Sequence, residues 1–450
     1  MVLWYSFSCE MSLVEPIPNR VTPIASPFED LEATVRELRR AYREKPSPYR
    51  LPLSSNTFGD AEIAAALEAL LRGQVTMGPR VRAFEEAFAA EHDAPAAVFC
   101  NSGSSANLLA LALLTYPDGV TGREPVLRPG DEVVVPAVTW STTVWPVVQM
   151  GAVPVLVDVS PETLNLTVES VERALSDRTR AVFAVHLLGN PAPVSELAEL
   201  CDAKGLTLIE DTCEALDTEV GDDGRKAGTF GRLGTFSFYF SHHICTIEGG
   251  MVLTRSEDDA DRLRALRSHG LTRHISPARR RQVEEESGSV DPRFLFVESG
   301  FNLRGTDVQA AIGLVQLGRR AGFLERRRAA ARVWTEARDH SPDVFLPLRI
   351  ARGSSQFAFP VVLHPDSPAT TVQLRAHLEE AGVETRPLLA GNLADQPAMK
   401  RLPHRVAGPL PGAELLHERS IYVGLNPGLT DEQIGTLPPL IDSFAREVRS

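Results

Sequence analysis

Lysine is scarce in this chain. Among 450 residues there are only Lys45, Lys204, Lys226 and Lys400, and the remaining positive charge is carried by arginine. Any chemistry that needs a primary amine has those four candidates. Cysteine is nearly as sparse: Cys9, Cys100, Cys201, Cys213 and Cys245 form an odd, scattered set. Such a set suggests a reducing cytoplasm and no disulfide framework. No C-x-C or C-x-x-C pair occurs, which counts against an iron–sulfur cluster, and no metal is expected.

Long apolar runs are also missing. No stretch of 18 apolar residues exists, so no membrane span is expected. The opening "MVLWYSFSCEMSLVEP" has no basic segment and is interrupted by Glu10, so no signal peptide is expected; Met11 is an alternative start. The net charge of −13 argues against a nucleic-acid partner. It leaves room for an anionic small substrate, because a local pocket can oppose the global sign.

What is present reads as a globular protein with ample core, at 43% hydrophobic and 23% charged. The length allows two to three domain-sized units. Residues 1–50 read as an irregular leader plus one helix, "DLEATVRELRRAYREK". From about 60, helices and short β-branched runs alternate. "AAVFC", "DEVVVPA", "VPVLVDV", "TRAVFAVH" and "LTLIED" are strands, separated by helices such as "SANLLALALLTY" and "VSELAELCDAKG". "GTFSFYF" and "GGMVLT" add two more. That alternation predicts βαβ units and a mainly parallel, seven-stranded sheet. Residues 274–298 are charged and weakly periodic, and are expected to form a long loop or surface insertion. "TDVQAAIGLVQLGRRAGFLERRRAAARVWTEARD" predicts one long helix, with a bend at its glycines as an option. The expected domains are a large one over 51–319 and a smaller C-terminal α/β domain over 320–450.

Four segments carry candidate chemistry. "NSGSSAN" follows a strand and opens a helix, so Ser104 and Ser105 with the free amides there suit a phosphate. By itself this is also an ordinary capped helix start. Trp140, in "PAVTWSTT", is placed to stack on a planar ring, or to be a core tryptophan. Asp211 ends the strand in "LIEDTCEA", where open α/β folds bind ligands. A carboxylate there can keep a pyridine nitrogen protonated, or simply cap a helix. The fourth segment, "FSFYFSHHICTIEGG", offers Ser237 to a phosphate and His242 to a cofactor, although paired histidines are also common structural residues.

Those segments, with "QVTMGPRVRAFEEAFA", "HLLGNP" and "FNLRGTDVQAAIGLVQL", resemble the DegT/DnrJ/EryC1/StrS sugar aminotransferase family over roughly residues 55–445. The resemblance implies the pyridoxal-phosphate-dependent aspartate aminotransferase fold (fold type I) and a homodimer. It implies Ser104, Ser105 and Ser237 as phosphate ligands, Trp140 as the stacking ring and Asp211 as partner of the pyridine nitrogen. Asn302 resembles the asparagine that reaches the neighbouring subunit's phosphate. Glu214 stands where the aminotransferases commonly have glutamine, beside the cofactor's ring oxygen.

One departure decides the chemistry. Aminotransferases of the family carry a Schiff-base lysine in this motif, and here His242 takes its place. Imidazole is not a primary amine, so it cannot hold the cofactor covalently. It can move protons near neutral pH. The exchange, with "SHGLTRH", "ETRPLLAGNLADQPAMK" and "YVGLNPGLTDEQI", resembles the family's sugar 3-dehydratases. The absence of C-x-C favours the branch typified by GDP-4-keto-6-deoxymannose 3-dehydratase over an iron–sulfur branch that uses a reductase. The implied reaction uses pyridoxamine phosphate, regenerated from pyridoxal phosphate by L-glutamate, to remove the C3 hydroxyl of a nucleotide-linked 4-keto-6-deoxyhexose. His242 is the implied base and Asp211 its electronic partner, with His243 a structural neighbour. Arg386 and Asn392 are candidate substrate contacts. The alternatives are a sugar aminotransferase, an iron–sulfur-dependent dehydratase and a non-catalytic sugar-nucleotide sensor.

Overall fold

The computed structural model describes residues 27–41 and 47–450. The expected leader over 1–26, Cys9 and Lys45 lie outside the described residues. Three helices come first: α1 (Pro27–Ala41), α2 (Asp60–Leu71) and α3 (Pro79–Glu91). Strands and helices then alternate as β1 (Ala96–Cys100), α4 (Gly103–Thr115), β2 (Glu132–Pro136), α5 (Ser141–Gln149), β3 (Val153–Val157), α6 (Val168–Ala174), β4 (Thr179–Val185), α7 (Val194–Lys204) and β5 (Thr207–Asp211). A small hairpin, β6 (Glu219–Val220) and β7 (Arg225–Lys226), precedes β8 (Leu233–Ser237) and β9 (Gly250–Thr254). Helices α8 (Glu257–Arg267), α9 (Pro277–Glu286) and α10 (Asp307–Asp339) follow. The remainder is β10 (Ala358–Val362), α11 (Thr371–Glu380), β11 (Thr385–Pro387), β12 (Arg405–Val406), α12 (Pro411–Arg419), β13 (Ser420–Gly424), α13 (Asp431–Ile434) and α14 (Leu437–Arg449).

The main sheet has the order β1-β9-β8-β5-β4-β2-β3-β12. Only β9 runs against the others, pairing antiparallel with both β1 and β8. The sheet therefore has eight strands rather than the expected seven. The eighth, β12, is two residues long and returns from the C-terminal part of the chain to pair with β3. It is anchored by Arg405, whose Nη2 lies 2.7 Å from Oε2 of the buried Glu132 on β2. Arg405 is the main cause holding the Glu132 carboxyl down at about 2. The central strands are buried on both faces, which explains their unbroken apolar runs.

Residues 274–298 are not one long loop. They contain α9, held by its own Arg280–Glu284 ion pair. Only Val283 of that helix is buried, so it has no apolar stripe for a sequence pattern to show. The long helix α10 runs unbroken through its glycines for 33 residues and crosses the expected domain boundary at 320. Gly313 is there for packing: a Cβ would press into the Phe84 ring. A second core, built from α10, α11, α14 and the sheet β10-β13-β11, gathers around Trp334 and Phe359.

Candidate active site

Parallel strands end on one edge of the main sheet, and the loops leaving that edge enclose a cavity of about 400 Å³. Its wall includes Ser104, Trp140, Asp211, Glu214, Ser237 and His242, six of the residues singled out from sequence. A larger groove of about 860 Å³ lies along α3, lined by Arg82, Arg267, Arg273 and His274 and by none of those six.

The floor is Asp211, the last residue of β5 and only 5% exposed. Its Oδ2 accepts from Asn107 Nδ2 at 2.9 Å and from Thr143 Oγ1 at 2.7 Å. Its Oδ1 accepts from the Cys213 amide at 3.1 Å. Asn107 is held in turn by Thr235, whose hydroxyl donates to Asn107 Oδ1 at 2.6 Å. The carboxylate is thus fixed by donors from α4, α5 and the loop after β5.

One end of the cavity is the start of α4. Ser102 caps the helix, accepting from the Ser105 amide at 3.1 Å, and its hydroxyl donates to Ser105 Oγ at 3.0 Å. Ser104 is exposed and donates to Thr142 Oγ1 at 3.0 Å. A Cβ on Gly103 would collide with the Ser237 side chain, so glycine lets the helix start close against the end of β8. The first amides of a helix lack intrahelical partners and point at an anion placed there.

Trp140 stands at the mouth as the residue before α5, 57% exposed. An aromatic of that size left in water beside a cavity is available to a planar ligand. Glu214 lies behind it, its Oε2 accepting from the Leu188 amide at 2.9 Å. Burial, with the nearby Asp211 charge as a lesser cause, raises the Glu214 carboxyl to about 7.

His242 occupies the loop between β8 and β9. Its ring meets Phe357 at 5.0 Å and Tyr239 at 5.9 Å, edge to face in both cases. Its Nδ1 is buried without a partner. Burial first, and the Arg327 guanidinium second, push the imidazole down to about 3. His243 points elsewhere: its Nε2 lies 3.3 Å from the Ser355 carbonyl. Ile247, a β-branched residue, is held at φ 72, a strained conformation beside the site. Gly250 is required where the loop rejoins β9, because a Cβ would strike the Ser102 carbonyl.

Four expected residues do not line the cavity. Ser105 sits one step into α4, engaged with Ser102. Asn302 is exposed, and its Oδ1 accepts from Arg304 Nε at 3.0 Å. Arg386 is exposed on β11 opposite Tyr422, a cavity residue. Asn392 is buried and engaged, accepting from the Ala394 amide at 3.1 Å and donating to Asp395 at 3.0 Å. Sequence reasoning overlooked Asn107, Thr143, Phe357 and Tyr422. Asn107 was within reach, since it lies one helical turn beyond Ser104 on the same face.

The residues present fit a pyridoxal-type cofactor: a helix start with hydroxyls for a phosphate, a flat exposed ring, and a carboxylate braced by three donors. No lysine lines the cavity among the described residues. The fold is that of the pyridoxal-phosphate-dependent aminotransferases, as comparison with solved structures shows. One of these, a GDP-4-keto-6-deoxymannose-3-dehydratase with a trapped PLP-glutamate geminal diamine, superposes with a TM-score of 0.79 at 32% identity, covering 87% of this chain and all of that one. The chain belongs to the DegT/DnrJ/EryC1/StrS aminotransferase family, whose profile matches residues 56–437. It is 35% identical to the GDP-4-keto-6-deoxy-D-mannose 3-dehydratase of Yersinia pseudotuberculosis over 86% of this chain and 96% of that protein. It is 36% identical to the dTDP-4-dehydro-2,6-dideoxy-D-glucose 3-dehydratase of Saccharopolyspora spinosa over 90% of each.

Proposed function

We propose that this protein is a C3 dehydratase of a nucleotide-linked 4-keto-6-deoxyhexose, working with pyridoxal and pyridoxamine phosphate and taking its amino group from L-glutamate. The observation that carries the reading is His242, an imidazole at the cavity wall where family aminotransferases hold a lysine. The 3-dehydratases among its relatives support it.

The bound cofactor would supply an electron sink next to the sugar's carbonyl carbon. Asp211 keeps the ring nitrogen protonated from its braced position on β5. Ser104, Ser237 and the free amides at the start of α4 would hold the phosphate, with Ser105 bracing Ser102 behind them. Trp140 stacks on the ring, and Glu214 lies beside the ring oxygen. With the cofactor bound, His242 would be the group that accepts the proton from its amine-bearing carbon and would return it to the C3 hydroxyl, which leaves as water. Arg386 contacts the substrate beside Tyr422, and Asn392 acts indirectly by shaping the segment after Leu389. Asn302, exposed on the loop before α10, reaches the phosphate of a second copy, so the working unit is a homodimer. The released product is hydrolysed to a 3-deoxy-4-keto sugar and ammonia. We place the enzyme in the cytoplasm; among the described residues no helix is long and apolar enough to cross a membrane.

The test is an anaerobic assay of purified protein with L-glutamate and a panel of nucleotide-linked 4-keto-6-deoxyhexoses. A 3-deoxy product with ammonia and 2-oxoglutarate in equal amounts is expected. A stable 4-amino sugar would make the protein an aminotransferase, and turnover only with a ferredoxin-type reductase would place it in the iron–sulfur branch. Borohydride reduction followed by intact mass should show no cofactor on the chain. A stoichiometric adduct on any lysine would overturn the role given to His242.

A further inference from the structure

Arg327 sits in the body of α10 with 2% of its surface exposed. A buried arginine is ordinarily paired with a carboxylate. This one makes no ion pair among the described residues. Its Nη1 donates to the Phe357 carbonyl at 2.7 Å and to the Leu425 carbonyl, and its Nε has no partner. Burial draws its pKa to about 9, which still leaves it charged at neutral pH. Arg328, the next residue, donates to the carbonyls of Ser354 at 3.0 Å and Gly353 at 2.8 Å. The segment 353–357 is therefore clamped on one side by two guanidiniums. Its other side faces the two histidines, His243 through the Ser355 carbonyl and His242 through the Phe357 ring. Gln356 within it is held at φ 55, a conformation that persists only where the surroundings impose it.

The charges around His242 are unevenly placed. From α10 comes Arg327, and from its own loop come His243, Tyr239 and Glu248. Across the cavity lie Asp211, Cys213 and Glu214, with Tyr422 from β13. Among the described residues no carboxylate hydrogen-bonds the imidazole; burial first and the Arg327 charge second lower its pKa. An imidazole so placed has its lone pair free across the neutral range.

We propose that Arg327 is a positioning residue for His242: by gripping the Phe357 carbonyl it is the strut that holds the Phe357 ring against the imidazole. This rests on the reading of His242 as the proton-transfer group.

The test compares Arg327→Met, which removes the grip on the Phe357 carbonyl, with Arg327→Lys, which puts one donor in place of the fork. The His242 ring signal of holoenzyme with isotope-labelled histidine is recorded by NMR at neutral pH and assigned by its loss in His242→Asn. In Arg327→Met the signal should move, because the Phe357 ring shields the imidazole only while it is held against it. Its kcat should fall about 10-fold with little change in KM. Arg327→Lys should move the signal part of the way and recover part of the lost kcat. An unmoved signal in Arg327→Met overturns the proposal whatever happens to turnover. If that variant does not fold, Arg327→Lys decides alone: a moved signal with lowered kcat supports the proposal, and an unmoved signal or an unchanged kcat overturns it. Full turnover by His242→Asn would sink the underlying base assignment, a separate outcome from an unmoved signal.

Discussion

Two histidines follow strands of the main sheet and are treated in opposite ways. His186, after β4, is fully buried beside Glu210 on β5, with Nε2 3.1 Å from the carboxylate. Its Nδ1 accepts from the Ala192 amide at 3.1 Å, so the proton sits on Nε2. Glu210 also accepts from the amides of Gly228 at 2.8 Å and of Phe230 and Gly231 at 2.7 Å each. Both ring nitrogens have a partner. His242, after β8, has an orphaned Nδ1, two aromatic edges and a cation nearby. Burial therefore does not separate the working histidine from the structural one. The difference lies in unmet hydrogen-bonding capacity at the cavity wall: His243 Nδ1 and His92 Nε2 are orphaned too, but neither residue lines the cavity.

That contrast is most directly broken at His242. His242→Asn should lower kcat about 1,000-fold while the protein still takes up cofactor, as judged by its absorbance spectrum. Near-normal turnover would mean that the unsatisfied ring is not the base. At the satisfied site the expectation reverses. Glu210→Gln turns one carboxylate oxygen into a donor, facing either the Phe230 and Gly231 amides or the Gly228 amide and the His186 Nε2–H, and should cost about 2 kcal/mol of stability in denaturant titration. Turnover per folded molecule should stay at the wild-type level, since no part of that network lines the cavity.

Glu214 offers a finer probe. Its folded carboxyl titrates near about 7, above the ordinary value of 4.5. The folded state therefore binds the extra proton between those values, and the stability it contributes is lost as pH rises through that window. Cofactor-free wild type should lose stability relative to Glu214→Gln between pH 4.5 and about 7, with the difference flat above it. A parallel pair of stability curves would show that the carboxyl is not perturbed. The smallest effect is expected at His243→Asn, where an amide can still donate to the Ser355 carbonyl: a loss of kcat below about 10-fold, measured beside His242→Asn.

The sheet and the heart of the site were legible because each strand ends in a recognisable motif. "IED", "GSS" and "SHH" sit where parallel strands stop, and five of the residues they contain or neighbour meet in one cavity with Trp140 from "VTW" after β2. What escaped had weak local signal. Helix α9 buries a single residue, so its charged sequence has no helical stripe. Strand β12 is two residues long and is held by a side-chain ion pair rather than by an apolar run. Thr143 lies inside α5 and looks like any helix-surface threonine until β5 brings Asp211 to it, 68 residues later in the chain. Phe357 is further still from the loop it supports, and only the folding of the C-terminal part places its ring beside His242.

The unbroken course of α10 has a mechanical consequence. Near its start, Gln309 holds the Glu248 carbonyl at 2.7 Å; further along, Gln316 holds the Cys245 amide at 3.2 Å; beyond that, Arg327 holds Phe357. A helix advances about 1.5 Å per residue, so the first and last of these grips are about 27 Å apart on one rod. A tilt of about 2° at its first turn would carry the Arg327 end through about 1 Å. Misplacement on that scale is enough to slow a positioned reaction markedly. The helix therefore acts as a gauge bar. Any rotation of the C-terminal layer that bears on it is transmitted to the histidine loop as a change of alignment, with no side chain of the cavity having to move first.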